Sequence, residues 1–271
     1  MCSMRVVIIK PSKYDVNGFV ERYRKGFMPN STVPYIRSMV PRIHRGVVLD
    51  VIPIDEYVYT SLDYLKLLQA HADVRTLVLI VGVQSHQFHR ALDLAAMAAR
   101  NGCMVCIGGP HVMTCDTTAM HGRGISFALA EAERVLLQML DDAVNGDLQP
   151  VYGADRRWAG ELDPPAVIAP SWRDLERYVV PLLGVYPARG CPFTCNFCSV
   201  IKIAGRRVRS QPVETTMQTL RSAKAAGIDM IMFTSDNFNK YPQAEELMHE
   251  MNRENLEMRF FAQCEARCKE A

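Results

Sequence analysis

The chain has 271 residues, 49% of them hydrophobic and 22% charged, with 31 basic against 29 acidic side chains. That balance excludes the broad basic footprint of a nucleic-acid or anionic-membrane binder. No apolar run approaches the roughly 18 residues of a membrane span, and the length fits about two domains.

The N-terminal Arg5-Val6-Val7-Ile8-Ile9 reads as a core strand; it is too short for a signal-peptide core and no cleavage pattern follows it. Nine cysteines, an odd number, make a poor disulfide scaffold and point to a reducing, cytoplasmic setting. Cys103 and Cys106 fall in or beside an apolar run and read as core, while Cys2 and Cys115 carry no pattern. Short apolar runs at 6–9, 47–52, 77–83, 104–107 and 125–129 suit parallel strands buried on both faces. Helical spacing lies between them: Leu62, Leu65 and Leu68; Leu94, Met97 and Ala98; Leu136, Met139, Leu140 and Ala143. Gly102 and Gly146 stand where left-handed caps end helices. Residues 1–146 are therefore expected to form an α/β, Rossmann-like, doubly wound domain.

Ligands of such sheets bind beyond the carboxyl ends of the strands. The segments there are polar: Lys10-Pro11-Ser12, Gln84-Ser85-His86-Gln87, Gly108-Gly109-Pro110-His111 and Glu131-Ala132-Glu133. Gly108-Gly109 is both a turn signal and a place where backbone can approach a ligand. No Gly-x-Gly-x-x-Gly follows the first strand, so a dinucleotide is not expected. Residues 13–46, rich in aromatic and basic side chains, fit either a loop over this edge or a surface excursion with one short helix.

Pro and Gly cluster in 147–180 and mark a linker, within which Ser171 and Asp174 have the spacing of a capping box. Trp172 beside that cap reads as a packing residue between domains. From 181 to 271 the pattern becomes strand, cysteine loop, helix, strand, helix, strand, the opening of a β/α barrel with its chemistry at the strand ends. The loop is Arg189-Gly190-Cys191-Pro192-Phe193-Thr194-Cys195-Asn196-Phe197-Cys198. Three thiolates in eight residues suit soft metals, and no fourth Cys or His nearby completes a zinc site. A four-iron cubane on three cysteines keeps one iron open to another ligand. Thr234-Ser235-Asp236-Asn237 and Gln263-Cys264-Glu265 follow the next two strands and share that predicted mouth. Asp236 and Asn237 offer ammonium acceptors and equally fit a capping turn. Lys202, Arg206, Arg207 and Arg209 read as a solvated face or an anion grip, and Cys264 with Cys268 as incidental.

Cys-x3-Cys-x2-Cys with Phe197 before the last cysteine resembles the signature of the radical S-adenosylmethionine enzymes. The polar motifs of 1–146, led by Gln84-Ser85-His86-Gln87, Gly108-Gly109-Pro110-His111 and Glu131, resemble the cobalamin-binding domain that precedes the radical core in the cobalamin-dependent members. The resemblance implies a 4Fe-4S cluster on Cys191, Cys195 and Cys198, whose fourth iron chelates S-adenosylmethionine and reduces it to a 5′-deoxyadenosyl radical. Phe197 is then expected near the adenine, with Asp236 and Asn237 near the amino group. Cobalamin is expected against Gln84, Ser85, His86, Gly108, Gly109, His111 and Glu131. The Asp-x-His-x-x-Gly cobalt-ligand pattern is absent, so a lower face without a histidine ligand is implied. The implied reaction is methyl transfer to an unactivated carbon of a small molecule or peptide, fed by an electron donor such as flavodoxin or ferredoxin, with no nucleic acid or membrane involved. An anaerobic oxidative cyclase is the enzymatic alternative. Only three of the usual six barrel strands fit before residue 271, so a truncated or non-catalytic cofactor-binding module is the other expectation.

Overall fold

The run after Ser3 forms β1 (Ser3–Lys10), the interior strand from which a seven-stranded sheet is built in the computed structural model. Residues 3–59, 61–70, 74–155 and 157–266 are described; Cys2, Arg156 and Cys268 lie outside them. The chain divides into two units, Met1–Gly26 with Thr32–Ala159, and Phe27–Ser31 with Gly160–Ala271.

In the first unit β1 is followed by α1 (Thr32–Met39), β2 (Ile43–His44), β3 (Val47–Asp55), β4 (Arg75–Ile80), α2 (Phe88–Arg100), β5 (Met104–Gly108), α3 (Pro110–Thr114), β6 (Ser126–Ala128), α4 (Ala132–Asn145) and β7 (Val151–Tyr152). The strand order is β2-β3-β1-β4-β5-β6-β7, with only the β2–β3 pair antiparallel. The sheet is thus mixed, and its order reverses between β1 and β4, the kind of switch point at which such sheets bind ligands. Val6, Val7, Ile8 and Ile9 are all fully buried, so both faces of the sheet are covered. Period two sends Val7 and Ile9 into one cluster with Val78, Ile80, Val105 and Ile107, under Ala91, Leu94 and Ala98 of α2. Residues 62–68 are 3₁₀ turns (Asp63–Leu68) and not the expected α-helix. Their leucines recur every third residue, the 3₁₀ repeat, and Tyr64 with Leu68 fills the core while Leu62 stays exposed.

The second unit contains α5 (Trp172–Leu175), β8 (Leu183–Val185), β9 (Ala188–Arg189), α6 (Val200–Ile203), β10 (Arg209–Ser210), α7 (Val213–Ala225), β11 (Met230–Phe233), α8 (Ala244–Arg253) and β12 (Arg259–Ala262). The Ser171 hydroxyl and the Asp174 carboxylate each accept the other's backbone N–H, closing the capping box on α5; Trp172 beside it is half-exposed. Strands β8, β11 and β12 form a parallel sheet in the order β12-β11-β8. Phe233 at its centre is fully buried, as are Leu220 and Ala223 of α7. Gly184 in β8 has no space for a side chain, because an added Cβ would lie 1.7 Å from the Ser31 hydroxyl oxygen.

Candidate functional site

The cysteine loop leaves β8 and is closed at its base by antiparallel pairing of β9 with β10 and by a 3.1 Å hydrogen bond from the Cys191 N–H to the Gly205 carbonyl. Gly190 adopts φ +96°, and an added Cβ would lie 2.2 Å from the Arg207 carbonyl oxygen, so only glycine fits there. Arg209, read as part of a basic face, is instead buried and donates to the Ala204 carbonyl at 2.7 Å, while Lys202, Arg206 and Arg207 are exposed. Past this base the loop opens to solvent: Cys195 and Phe197 are exposed, and the Cys198 N–H turns back to the Cys195 carbonyl at 3.1 Å. Phe197 reaches 92% exposure.

The next two strand ends are tied to this loop and to each other. An Asp236 carboxylate oxygen accepts the Gly190 N–H at 2.6 Å. Asn237 Oδ1 accepts the Glu265 N–H at 3.1 Å, and the Phe238 N–H reaches the Gln263 carbonyl at 2.8 Å. Lys240 pairs with Glu265 at 2.9 Å and lies over the Phe193 ring at 5.4 Å. Beside Asp236, the Ser235 hydroxyl is buried without a partner among the described residues, an orphan that burial makes costly unless something satisfies it.

At the first unit's strand ends the loops after β4 and β5 are zipped together. The Val83 N–H donates to the Gly108 carbonyl at 3.1 Å, the His111 N–H to the Val83 carbonyl at 2.9 Å, and His111 Nδ1 lies 3.0 Å from the Ser85 hydroxyl. His111 also lies against the Phe88 ring, 4.0 Å between centroids, and its partial burial lowers its pKa. Gly109, at φ +136°, makes its close approach within the protein: an added Cβ would lie 2.2 Å from the Val83 nitrogen. Gln84, Ser85 and His86 are exposed along this edge. Glu131 is not gathered with them; its carboxylate accepts the Ala159 N–H at 2.7 Å.

Three comparisons bear on this arrangement. Residues 185–267 match the model of the Radical SAM superfamily. The second unit carries a radical SAM domain. Over 158 residues the chain is 27% identical to bacteriochlorophyllide d C-8(2)-methyltransferase of Chlorobaculum tepidum, covering 54% of this chain and 33% of that protein. Its fold is similar to that of the radical S-adenosylmethionine methyltransferase TsrM of Kitasatospora setae, solved with cobalamin and a 4Fe-4S cluster, with a TM-score of 0.70 and 14% identity over 97% of this chain and 54% of TsrM. TsrM with tryptophan substrate and a SAM analogue gives a TM-score of 0.67, 15% identity and coverage of 96% and 54%. The chain therefore spans about a third of the curated relative and about half of the solved one.

In the radical SAM domain the described cysteines are free thiols. Among the described residues no three His, Cys, Asp or Glu side chains are gathered as a single metal ion requires. Thiolates around one zinc converge to roughly 2.3 Å from a common centre. A cubane instead takes each cysteine on a different iron, so three free thiols spread over one open loop fit the cluster better than a lone ion.

Sequence reasoning placed Lys10 at this polar edge but missed that it is buried there and organises it. Lys10 ends β1 nine-tenths buried, and its ammonium donates to the Gly82 carbonyl and, at 2.8 Å, to Gln87 Oε1. Gln87 passes the tie on to the Pro11 carbonyl at 2.8 Å. Burial outweighs the nearby Asp55 charge and lowers the Lys10 pKa to about 8. Beneath it, Glu56 is fully buried and receives hydrogen bonds from Arg90, Tyr64 and the Ser12 N–H. The available signal was Lys10 itself, a charged residue closing an otherwise apolar strand.

Proposed function

We propose that this chain is a cobalamin-dependent radical S-adenosylmethionine methyltransferase, acting on an unactivated carbon of a small molecule or peptide. The observation that carries the reading is the three-thiol loop at the end of β8, in a segment that matches the radical SAM superfamily. Cys191, Cys195 and Cys198 hold a 4Fe-4S cluster, and the Ser235 hydroxyl joins Asp236 and Asn237 at the edge where S-adenosylmethionine seats. Residues 1–146 form the Rossmann-like cobalamin-binding domain, 147–180 the linker, and 181 onward the first strands of the radical core's β/α barrel. Gln84, Ser85, His86, Gly108, Gly109 and His111 line the cobalamin edge, while Glu131 supports it from behind by holding the 157–159 segment.

When bound, the cluster supplies an electron for reductive cleavage of S-adenosylmethionine and cobalamin supplies a methyl carrier, so the hard chemistry belongs to the cofactors. The protein's part is positioning. Asp236 and Asn237 tie the three strand-end loops together, and Phe197, exposed on the cysteine loop, would cover the adenine. Methyl transfer is preferred over oxidative cyclisation because the Chlorobaculum relative and TsrM are both named methyltransferases. The reading places the protein in the cytoplasm with a flavodoxin- or ferredoxin-type electron donor; no described helix is long and apolar enough to cross a membrane.

The test is anaerobic reconstitution with iron and sulfide, followed by titration with cobalamin and S-adenosylmethionine. Wild type is expected to show the broad thiolate–iron absorbance near roughly 400 nm, and Cys195→Ala to lose it. Full cluster content in Cys195→Ala, or no spectral change on adding cobalamin, would overturn the corresponding assignment.

A further inference from the structure

We propose that Asp236 is a positioning residue for the iron–sulfur cluster: through the Gly190 amide it fixes the first ligand, Cys191, and it sets a negative charge beside the cluster. The proposal rests on Cys191, Cys195 and Cys198 being the ligands.

The cysteine loop is tied down where it leaves the domain. The Gly190 peptide is wedged between two groups, the Arg207 carbonyl on one side and the Asp236 carboxylate on the other, which takes its N–H at 2.6 Å across 46 residues of sequence. A hydrogen bond to an ionised carboxylate is stronger than a neutral one. The following amide, that of Cys191, is held by the Gly205 carbonyl. Two consecutive N–H groups are thereby fixed, and the Cys191 side chain departs from a backbone that cannot swing. Cys195 lies on the exposed stretch, where the Cys198 N–H turns back to the Cys195 carbonyl. Asp236 lies in the segment that follows β11, so the anchor comes from the end of a neighbouring strand of the parallel sheet and not from the cysteine loop itself.

Two consequences follow for a cluster bound there. With Cys191 pre-set, ordering cost falls on the open part of the loop alone. A fixed carboxylate one residue from a ligand also disfavours adding an electron, and so lowers the cluster's reduction potential, which responds to net charge and hydrogen bonding around it. Asn237 extends the same brace to the third strand end through the Glu265 N–H.

The experiment compares wild type, Asp236→Ala, Asp236→Asn and Cys195→Ala. Apo chains are read by hydrogen exchange at the Gly190 amide, and anaerobically reconstituted chains by iron per chain and cluster midpoint potential. In Asp236→Ala, Gly190 exchange is expected to rise about tenfold or more, and iron content to drop to roughly half or less. Asp236→Asn keeps an acceptor oxygen, so it restores protection and iron, and its midpoint moves to a more positive potential. Wild-type protection and iron in Asp236→Ala overturn the anchoring. An unshifted midpoint in Asp236→Asn overturns the charge role. If Asp236→Ala does not fold, Asp236→Ser, too short to reach the Gly190 N–H, takes its place, and wild-type protection and iron there overturn the anchoring. Equal iron in Cys195→Ala and wild type sinks the cluster assignment instead, while Gly190 exchange still reports separately on the anchor.

Discussion

The two sheets of this protein solve the problem of polar strand ends in opposite ways. In the seven-stranded sheet the polar and charged groups behind the edge are buried and tied to each other: Lys10 to Gln87, Arg90 to Glu56. In the three-stranded sheet the chemistry-bearing side chains sit on a loop open to solvent, and half-buried Asp236 and buried Asn237 behind it grip backbone amides. The first arrangement makes a preformed, internally satisfied floor. The second keeps thiols accessible on a loop whose root alone is fixed, which suits a site that must take up a preassembled inorganic group.

That contrast is broken most forcefully at Arg90. Its guanidinium forks onto Glu56, which is fully buried. Replacing it, Arg90→Leu, leaves a buried carboxylate without its countercharge, and a loss of about 3–5 kcal/mol in urea-unfolding stability is expected. Arg221 of the second unit makes a similar fork, to Glu214 and Glu254, but in solvent. Arg221→Leu should barely move the midpoint. Comparable losses from both would erase the distinction between a buried floor and an open site.

Gly109 tests the zip between the two first-unit loops. It holds φ +136° and ψ −177°, a region essentially reserved for glycine, with the Val83 nitrogen where a Cβ would go. Gly109→Ala is expected to cost about 3 kcal/mol and to weaken cobalamin binding, read by titration. A tolerated alanine would mean the loops part easily.

Lys10 sharpens the comparison through pH. Its folded pKa, about 8, lies below the ordinary lysine value of 10.5 because burial penalises the charge. Between those values the unfolded chain binds more protons than the folded one, so stability rises with pH there. The penalty is full below pH 8 and is relieved as pH climbs toward 10.5. Relative to Lys10→Met, wild type should gain about 2 kcal/mol between pH 7 and 9.5. Parallel pH curves for the two would remove Lys10 from the buried network.

How much of this was legible beforehand depended on whether the signal was local. Parallel strands showed as apolar runs, and the cysteine loop showed as spacing, because both are written within ten residues. Partnerships across the fold did not show. Asp236 has the same acceptor chemistry whether it faces an ammonium group or the Gly190 amide, and only the sheet brings those two together. Glu131 looked like its polar neighbours at the other strand ends, yet it turns to the Ala159 amide. Arg209 looked like its basic neighbours, yet pairing of β10 with β9 buries it. Residues 62–68 were misread in type because a spacing of three serves a 3₁₀ turn as well as one face of a helix.

The smallest expected effect lies at the outer strand of the second sheet. Strand β12 pairs with β11 on one side and has no partner on the other among the described residues. Phe260 keeps an edge contact with the buried Phe233, 5.3 Å between ring centroids, and Phe261 alternates to the opposite face. Both remain 40% or more exposed, and Arg259 beside them reaches solvent as well. An exposed apolar edge gains little from its own side chains and invites pairing with another strand. Phe261→Ser should therefore change the stability of this chain by no more than about 0.5 kcal/mol, while reducing self-association seen by sedimentation. A loss well above that, with unchanged sedimentation, would show that the three-stranded sheet is as closed as the seven-stranded one.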